Sequence, residues 1–205
     1  WYNPFRNIAI CHYLKYVDVI CAVSHELKKA LEANGIKRVE VVHNALDIDE
    51  WTSLISRPND AAHSIDASFV GYKKVLFAGR LTPEKGARQL TDALKALKEK
   101  YTSKFALIVI GDKDQYTDDV LNELETAGIK TYCTGWTAYA DLPSIYARAD
   151  VVVFPSVCFD TFGMVAIEAM ASKKPVVATC FGGAREIVED GITGYIINPY
   201  DTEIF

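Results

Sequence analysis

The sequence has no Cys-x-x-Cys pair. Its five cysteines (Cys11, Cys21, Cys133, Cys158, Cys180) are scattered and odd in number. That pattern supports neither a thiolate zinc site nor a disulfide framework, and a reduced, cytoplasmic compartment is expected. The four histidines (His12, His25, His43, His63) lack a ligand spacing such as His-x-x-x-His and read as surface or packing residues, so no metal site is expected. No apolar run approaches the roughly 20 residues that a membrane helix needs. The opening residues, Trp1-Tyr2-Asn3-Pro4-Phe5-Arg6, show neither a signal peptide nor an initiator Met; a fragment or a processed chain is expected. No Gly-x-Gly-x-x-Gly follows any strand-like run, which argues against a nicotinamide-dependent oxidoreductase. Sequence repeats and low-complexity segments are also lacking.

What is present is the composition of a soluble globular protein. Half of the 205 residues are hydrophobic and 24% are charged, enough for a sizeable core. The formal net charge of -5 gives no global attraction to nucleic acid. A locally basic pocket for phosphates is still compatible with it.

Residues Asn7 to Tyr16 read as a helix. Val17 to Val23 reads as a buried strand, Ser24 as the N-cap of a helix from His25 to Ala33 stopped by Asn34-Gly35, and Val39 to Val42 as a strand. From Glu50 to Tyr72, Ser, Pro, Asn, Asp and His break the pattern, and the segment reads as a hinge or surface excursion. Beyond Lys73, strands are expected at 75–78, 105–110, 131–133, 151–154, 176–178 and 195–197. Helices are expected at 86–100, 118–127, 140–148, 162–172 and 184–189. This alternation implies an α/β fold, a Rossmann-like parallel sheet with helices on both faces.

In such sheets ligands sit beyond the carboxyl ends of the strands. Here those exits are rich in glycine and polar groups: Gly79-Arg80 through Lys85-Gly86, Gly111-Asp112, Thr134-Gly135-Trp136, Pro155-Ser156 leading to Asp160, and Gly182-Gly183. Glycines allow close backbone approach, and helix N-termini offer unpaired N–H donors. Arg80 and Lys85 place two cations beside them, suited to a diphosphate. Taken singly, each is equally compatible with a solvated loop or ordinary packing; their placement at successive strand ends points to one site.

The run from Thr161 to Ser172 is apolar or small apart from Glu168. A carboxylate inside such a helix is costly unless something satisfies it. A core arginine or a polar ligand would each serve. Asp160, eight residues earlier, lies in the loop that feeds the helix.

These residues resemble the retaining glycosyltransferases of family 4, which have the two-domain GT-B fold. The likeness rests on Asp160 to Glu168 with Phe162-Gly163 and Glu168-Ala169-Met170-Ala171, and on Phe77-Ala78-Gly79-Arg80-Leu81 with Glu84-Lys85-Gly86. It extends to Gly182 through Val188 with Gly191 through Tyr195, and to Val17 through Ser24 with Asn44 and Asp47. The resemblance implies that residues 1–49 are the tail of an N-terminal domain, 50–71 a hinge, and 72–205 a nucleotide-sugar (donor) binding domain truncated at its C-terminus. It implies that Arg80 and Lys85 bind the donor diphosphate, Glu168 the ribose hydroxyls and Asp160 the donor sugar. Gly79, Gly111, Thr161 and the amides near Phe162, Gly163 and Met164 would hold sugar and phosphate, with Cys133, Gly135 and Trp136 near the base. Asp160 stands where the family commonly has Glu, and Ala45 where it often has Gly.

The implied reaction moves a hexose-type sugar from a nucleotide diphosphate sugar, UDP- or GDP-linked, to a sugar, lipid or glycan acceptor. Retention, no cofactor and no metal are expected, with peripheral membrane contact through the rest of an N-terminal domain. The chain alone is expected to bind donor weakly and to transfer poorly. Asp47-Ile48-Asp49 superficially resembles a metal motif, but it lies at the expected hinge. A non-catalytic nucleotide-binding fragment and a GT-B-fold epimerase or phosphorylase are the alternatives.

Overall fold

The computed structural model describes residues 4–201. The first part holds α1 (Pro4–Leu14), β1 (Ile20–Ala22), α2 (His25–Ala33) and β2 (Val39–Val41), with β1 and β2 paired in parallel. Ser24 caps α2 as expected, its hydroxyl accepting the Leu27 amide at 3.0 Å. The strand expected from Val17 to Val23 is shorter and more open. Val17, Val19 and Cys21 are exposed, because β1 is flanked only by β2 and α2 among the described residues.

Residues 50–72 differ from their reading as an excursion. They fold as α3 (Ile48–Leu54) and α4 (Asp60–Ser68). Asp47 caps α3 by accepting the Glu50 amide at 2.9 Å, and Asn59 caps α4 by accepting the Ala62 amide at 3.0 Å. The acidic triplet is therefore partly a helix start. Trp51, Ala62, Ile65 and Phe69 are buried in the core of the larger unit. The indole Nε1 of Trp51 donates to Ser172 Oγ at 2.9 Å. These four apolar anchors are too widely spaced among polar residues to show a clear period, yet capping and burial together suffice for two short helices.

The larger unit contains β3 (Lys73–Ala78), α5 (Ala87–Lys100), β4 (Phe105–Ile110), α6 (Gln115–Thr126), β5 (Lys130–Cys133), α7 (Leu142–Tyr146), β6 (Val151–Phe154), α8 (Met164–Ala171), β7 (Val176–Thr179) and β8 (Gly194–Ile197). The six strands are all parallel, in the order β5-β4-β3-β6-β7-β8. The expected strands agree to within two residues. The helix expected at 118–127 starts three residues earlier, since Asp114 caps it through the Thr117 amide at 2.8 Å. The helix expected at 140–148 is a 3-10 turn, Tyr139–Asp141, running into α7. That expected at 184–189 is a 3-10 turn at Gly183–Glu186, cut short where the Glu189 carbonyl accepts the Ile192 and Thr193 amides.

Side chains alternate across the sheet, as strand geometry requires. Leu76, Ile108, Val152 and Phe154 face one layer with Trp51, Ile65, Tyr146, Ala166 and Ala169. Phe77, Leu107, Val109 and Val153 face the other with Leu90, Leu94, Val120 and Leu124. Helices thus cover both faces. Strand order reverses between β3 and β6, so the loops leaving these two strands diverge and open a crevice between them. No helix among the described residues is long and apolar enough to cross a membrane.

Candidate functional site

The crevice is held open by close backbone contact. Gly86, at φ +80°, ends the loop after β3; a Cβ there would lie 2.0 Å from the Pro155 carbonyl oxygen of the loop after β6. Only glycine brings the two loops this near.

Beside them lies a pocket of about 310 Å³ lined by Gly79, Arg80, Gly111, Trp136, Tyr146 and Glu168, with Asp112, Thr137, Leu142 and Val165 also contributing. Five of the sequence-picked residues therefore meet around one cavity. Trp136 is 80% exposed, so its indole is not committed to the core. Gly135 stays beside it at φ +73° and bridges Gly111. Cys133 ends β5 half-buried, its thiol 3.6 Å from the Gly111 carbonyl; burial pushes the thiol up from its ordinary range. Its side chain serves the loop rather than the cavity. Arg80 is exposed at the rim, and among the described residues its guanidinium has no carboxylate partner.

Glu168 lies inward on α8. Its Oε2 accepts the Tyr146 hydroxyl at 2.6 Å. Burial raises the Glu168 carboxyl above its ordinary value, and the tyrosine hydrogen bond only partly offsets that. Tyr146 is fully buried; burial and then the neighbouring carboxylate drive its hydroxyl well above its ordinary range. The cost of Glu168 in an apolar helix is thus met by a donor on another helix, with no core arginine involved. Tyr146 was not picked from the sequence. The demand for a donor was legible, but its address depends on α7 packing against α8.

The remaining sequence-picked residues form a second group, with Lys85 on the loop after β3 and the others between β6 and α8. Asp160 Oδ2 lies 3.0 Å from Lys85 Nζ, and Oδ1 accepts the Phe162 amide at 3.2 Å. The Phe162 amide is therefore occupied by Asp160, which corrects its reading as a donor held for ligand. The Asp160 backbone is tied to the loop after β7: its amide donates to the Phe181 carbonyl at 3.1 Å, and its carbonyl accepts the Gly183 amide at 2.9 Å. Phe162 is buried, Gly163 sits at φ +102°, and α8 starts at Met164 with no side-chain cap. The Ala166 amide donates to the Gly163 carbonyl at 2.9 Å, while no side chain caps the amides of Met164 and Val165, an arrangement that favours an anion.

The amino-terminal part reaches this loop. Ser24 Oγ donates to the Thr161 carbonyl at 2.7 Å, and the His43 ring stacks on Phe162 with centroids 5.8 Å apart. Glu186 accepts the His25 and Glu26 amides at 2.9 and 2.8 Å. Against the upward push of burial, those amides and His43 hold its carboxyl below the ordinary value. None of Ser24, His43 and Glu186 stood out as a site residue in the sequence, because they converge from three distant segments.

The fold and crevice define a Rossmann-like α/β protein with a candidate anion and nucleotide cleft at its topological switch point. Residues 59–205 match the family described as Glycosyl transferases group 1, and the chain belongs to that family. It is 37% identical over 127 residues to an uncharacterized glycosyltransferase, MJ1607, of Methanocaldococcus jannaschii, covering 62% of this chain and 32% of that protein. It is 38% identical over 129 residues to the lipopolysaccharide 1,2-N-acetylglucosaminetransferase of Salmonella typhimurium, covering 59% and 34%. The crystal structure of Anabaena Alr3699/HepE in complex with UDP and glucose superposes with a TM-score of 0.82 at 25% identity, covering 98% of this chain and 55% of that one. The chain thus matches from a third to about half of the length of these proteins.

Proposed function

We propose that this chain forms the donor-binding half of a retaining glycosyltransferase. The activity moves a hexose-type sugar from a nucleotide diphosphate sugar to a sugar, lipid or glycan acceptor. The observation that carries this reading is the meeting of Arg80, Gly79, Gly111, Trp136 and Glu168 around one pocket at the β3–β6 crevice. Arg80 and Lys85 take the diphosphate, Glu168 the ribose hydroxyls and Asp160 the sugar. The backbone from Cys133 to Trp136 lies beside the base. Thr161, Gly163 and the amide of Met164 complete the phosphate and sugar side. The Anabaena protein with UDP and glucose supports a uridine donor over a guanosine one.

In this reading the bond between the anomeric carbon and the diphosphate oxygen breaks, and a nucleoside diphosphate leaves. Arg80, Lys85 and the first turn of α8 stabilise the charge that develops on it. The acceptor oxygen bonds to the anomeric carbon on the face the leaving group vacates, and its proton passes to the departing phosphate. No cofactor is needed, and no metal is needed at the diphosphate. Acceptor choice is assigned to the part of the relatives that this chain does not match, so the chain itself binds donor and transfers poorly. The free cysteines suit a reducing cytoplasmic setting, with membrane contact limited to the periphery.

Calorimetry or thermal shift with UDP, GDP, ADP and their sugars tests the site. UDP should bind, and Arg80→Ala and Glu168→Ala should each weaken it. Absence of any nucleotide binding, or binding indifferent to both substitutions, overturns the reading.

A further inference from the structure

His25, His43 and Glu186 come from three separate places: the start of α2, the segment after β2, and the 3-10 turn after β7. Their ligand-capable atoms all lie within 4.8 Å of one another. His43 Nε2 is 3.4 Å from Glu186 Oε2, and the two imidazole rings meet edge to face at 5.7 Å between centroids. We propose that these three side chains form a binding site for a divalent transition-metal ion of the zinc class, at the joint between the amino-terminal part and the six-stranded unit.

Ligand chemistry favours that class. Two imidazoles and one carboxylate form a borderline-soft set used by zinc, whereas magnesium and calcium prefer all-oxygen sets. Tetrahedral zinc brings its ligand atoms to roughly 3.3 Å apart. The histidine–glutamate separation is already near that, and the exposed imidazoles can close the remainder by rotamer adjustment. Two of the three ligands are also oriented from behind. The Glu186 carboxylate is held by the His25 and Glu26 amides, and the His43 ring is laid against Phe162. Such outer contacts are what fix metal ligands in place. A bound ion would leave one coordination position open to solvent.

The consequence is mechanical. His25 and His43 belong to the amino-terminal part, and Glu186 belongs to the turn packed against the Asp160–Phe162 loop. An ion bridging them fastens α2 to that loop more firmly than two amide hydrogen bonds do. The proposal does not depend on the donor reading, and its test uses no nucleotide.

Zinc titrated into the 205-residue chain, followed by calorimetry and thermal unfolding, should show one saturable site and a higher Tm. His25→Gln and His43→Gln should each weaken it by about tenfold or more, while His63→Gln, on the exposed face of α4, should change nothing. Cobalt substitution should give visible d–d bands of a four- or five-coordinate ion without a thiolate charge-transfer band. Magnesium should not compete. Glu186→Gln can disturb α2 through its lost cap, so the histidine variants carry the decision. The proposal is overturned by no saturable zinc binding at tens of micromolar (roughly the lower edge of a useful site). Binding that survives both histidine substitutions, a thiolate band, or equal magnesium binding also overturns it.

Discussion

Lys85 Nζ and Asp160 Oδ2 lie 3.0 Å apart across the crevice, one on the loop after β3 and the other on the loop after β6. Asp160 also accepts the Phe162 amide, so the carboxylate both holds the cation and shapes its own loop. A diphosphate entering here must share Lys85 with Asp160. Lys85→Ala should therefore weaken nucleoside diphosphate binding by about tenfold, the scale of one lost charged hydrogen bond. Asp160→Asn should act oppositely on the plain diphosphate, tightening it a few-fold by releasing Lys85 and removing a like charge. The same change should not improve binding of the nucleotide sugar. Parallel calorimetry with UDP and UDP-glucose separates these effects; equal changes for both ligands would mean that Asp160 has no role toward the sugar.

Glu168 is a buried carboxylate whose charge opposes folding. Burial raises its carboxyl above the ordinary value of 4.5, so between that value and its folded one the native state holds more protons than the unfolded state. Stability must then fall as pH rises through this window, with Glu168 opposing folding at neutral pH. Glu168→Gln keeps an acceptor for the Tyr146 hydroxyl and removes the charge. We expect Tm at pH 7.5 to rise by roughly 1–3 °C, the rise to vanish near pH 4, and UDP binding to weaken. A Tm that drops at neutral pH would show that the charge is better satisfied than its burial implies.

Tyr146→Phe leaves the partner carboxylate buried without its hydroxyl donor. The expected loss is about 1–3 kcal/mol, the cost of an orphaned buried acceptor. Urea unfolding measures it. Because Glu168→Gln lowers the cost of an unpaired acceptor, the double variant should lose less than Tyr146→Phe alone. Strict additivity would count against the coupling.

Gly182 stands at φ +107°, and a Cβ there would lie 1.9 Å from the Asp160 carbonyl oxygen. Gly182→Ala must shift either the Asp160 loop or its own. A stability loss above about 2 kcal/mol is expected, together with weaker diphosphate binding, since strain and clash add. Unchanged unfolding and unchanged UDP affinity would mean that the two loops can separate freely.

Trp51 tests the place of α3. It is fully buried, stacks edge-on with Tyr139 and Tyr146 at 5.7 Å each, and bonds Ser172. Trp51→Ala should cost about 3–5 kcal/mol, as large core truncations do. A loss below 1 kcal/mol would fit a loosely attached linker.

Much of the larger unit was legible because β-strands with continuous apolar runs and helices with marked caps declare themselves locally. Phe105 to Ile110 and Val151 to Phe154 agree to the residue, since both are central strands buried on two faces. The segment around Trp51 and Ile65 was not legible, because its few anchors acquire meaning only against α7 and α8. Arg80 and Glu168 were readable as candidates from their odd chemistry at strand and helix ends, and both line the pocket. Tyr146 was not, as a tyrosine in a helix carries no mark of its partner. The histidines illustrate the same limit: their spacing excluded a local metal motif, while His25 and His43 meet Glu186 only after the chain folds.

By itself, then, the sequence determined the strand–helix alternation, the glycine-rich strand exits and the demand that Glu168 find a polar partner. These follow from hydrophobic period, φ freedom and the cost of burying charge, all of which act within a few residues. Tertiary structure alone decided that Tyr146 meets that demand, that Lys85 and Asp160 face each other, and that Glu186 receives the amides of α2. Such pairings join residues 22, 75 and about 160 positions apart. The first two are chosen by which elements lie side by side at the β3–β6 reversal and the third by α2 meeting the turn after β7, relationships that no local pattern encodes.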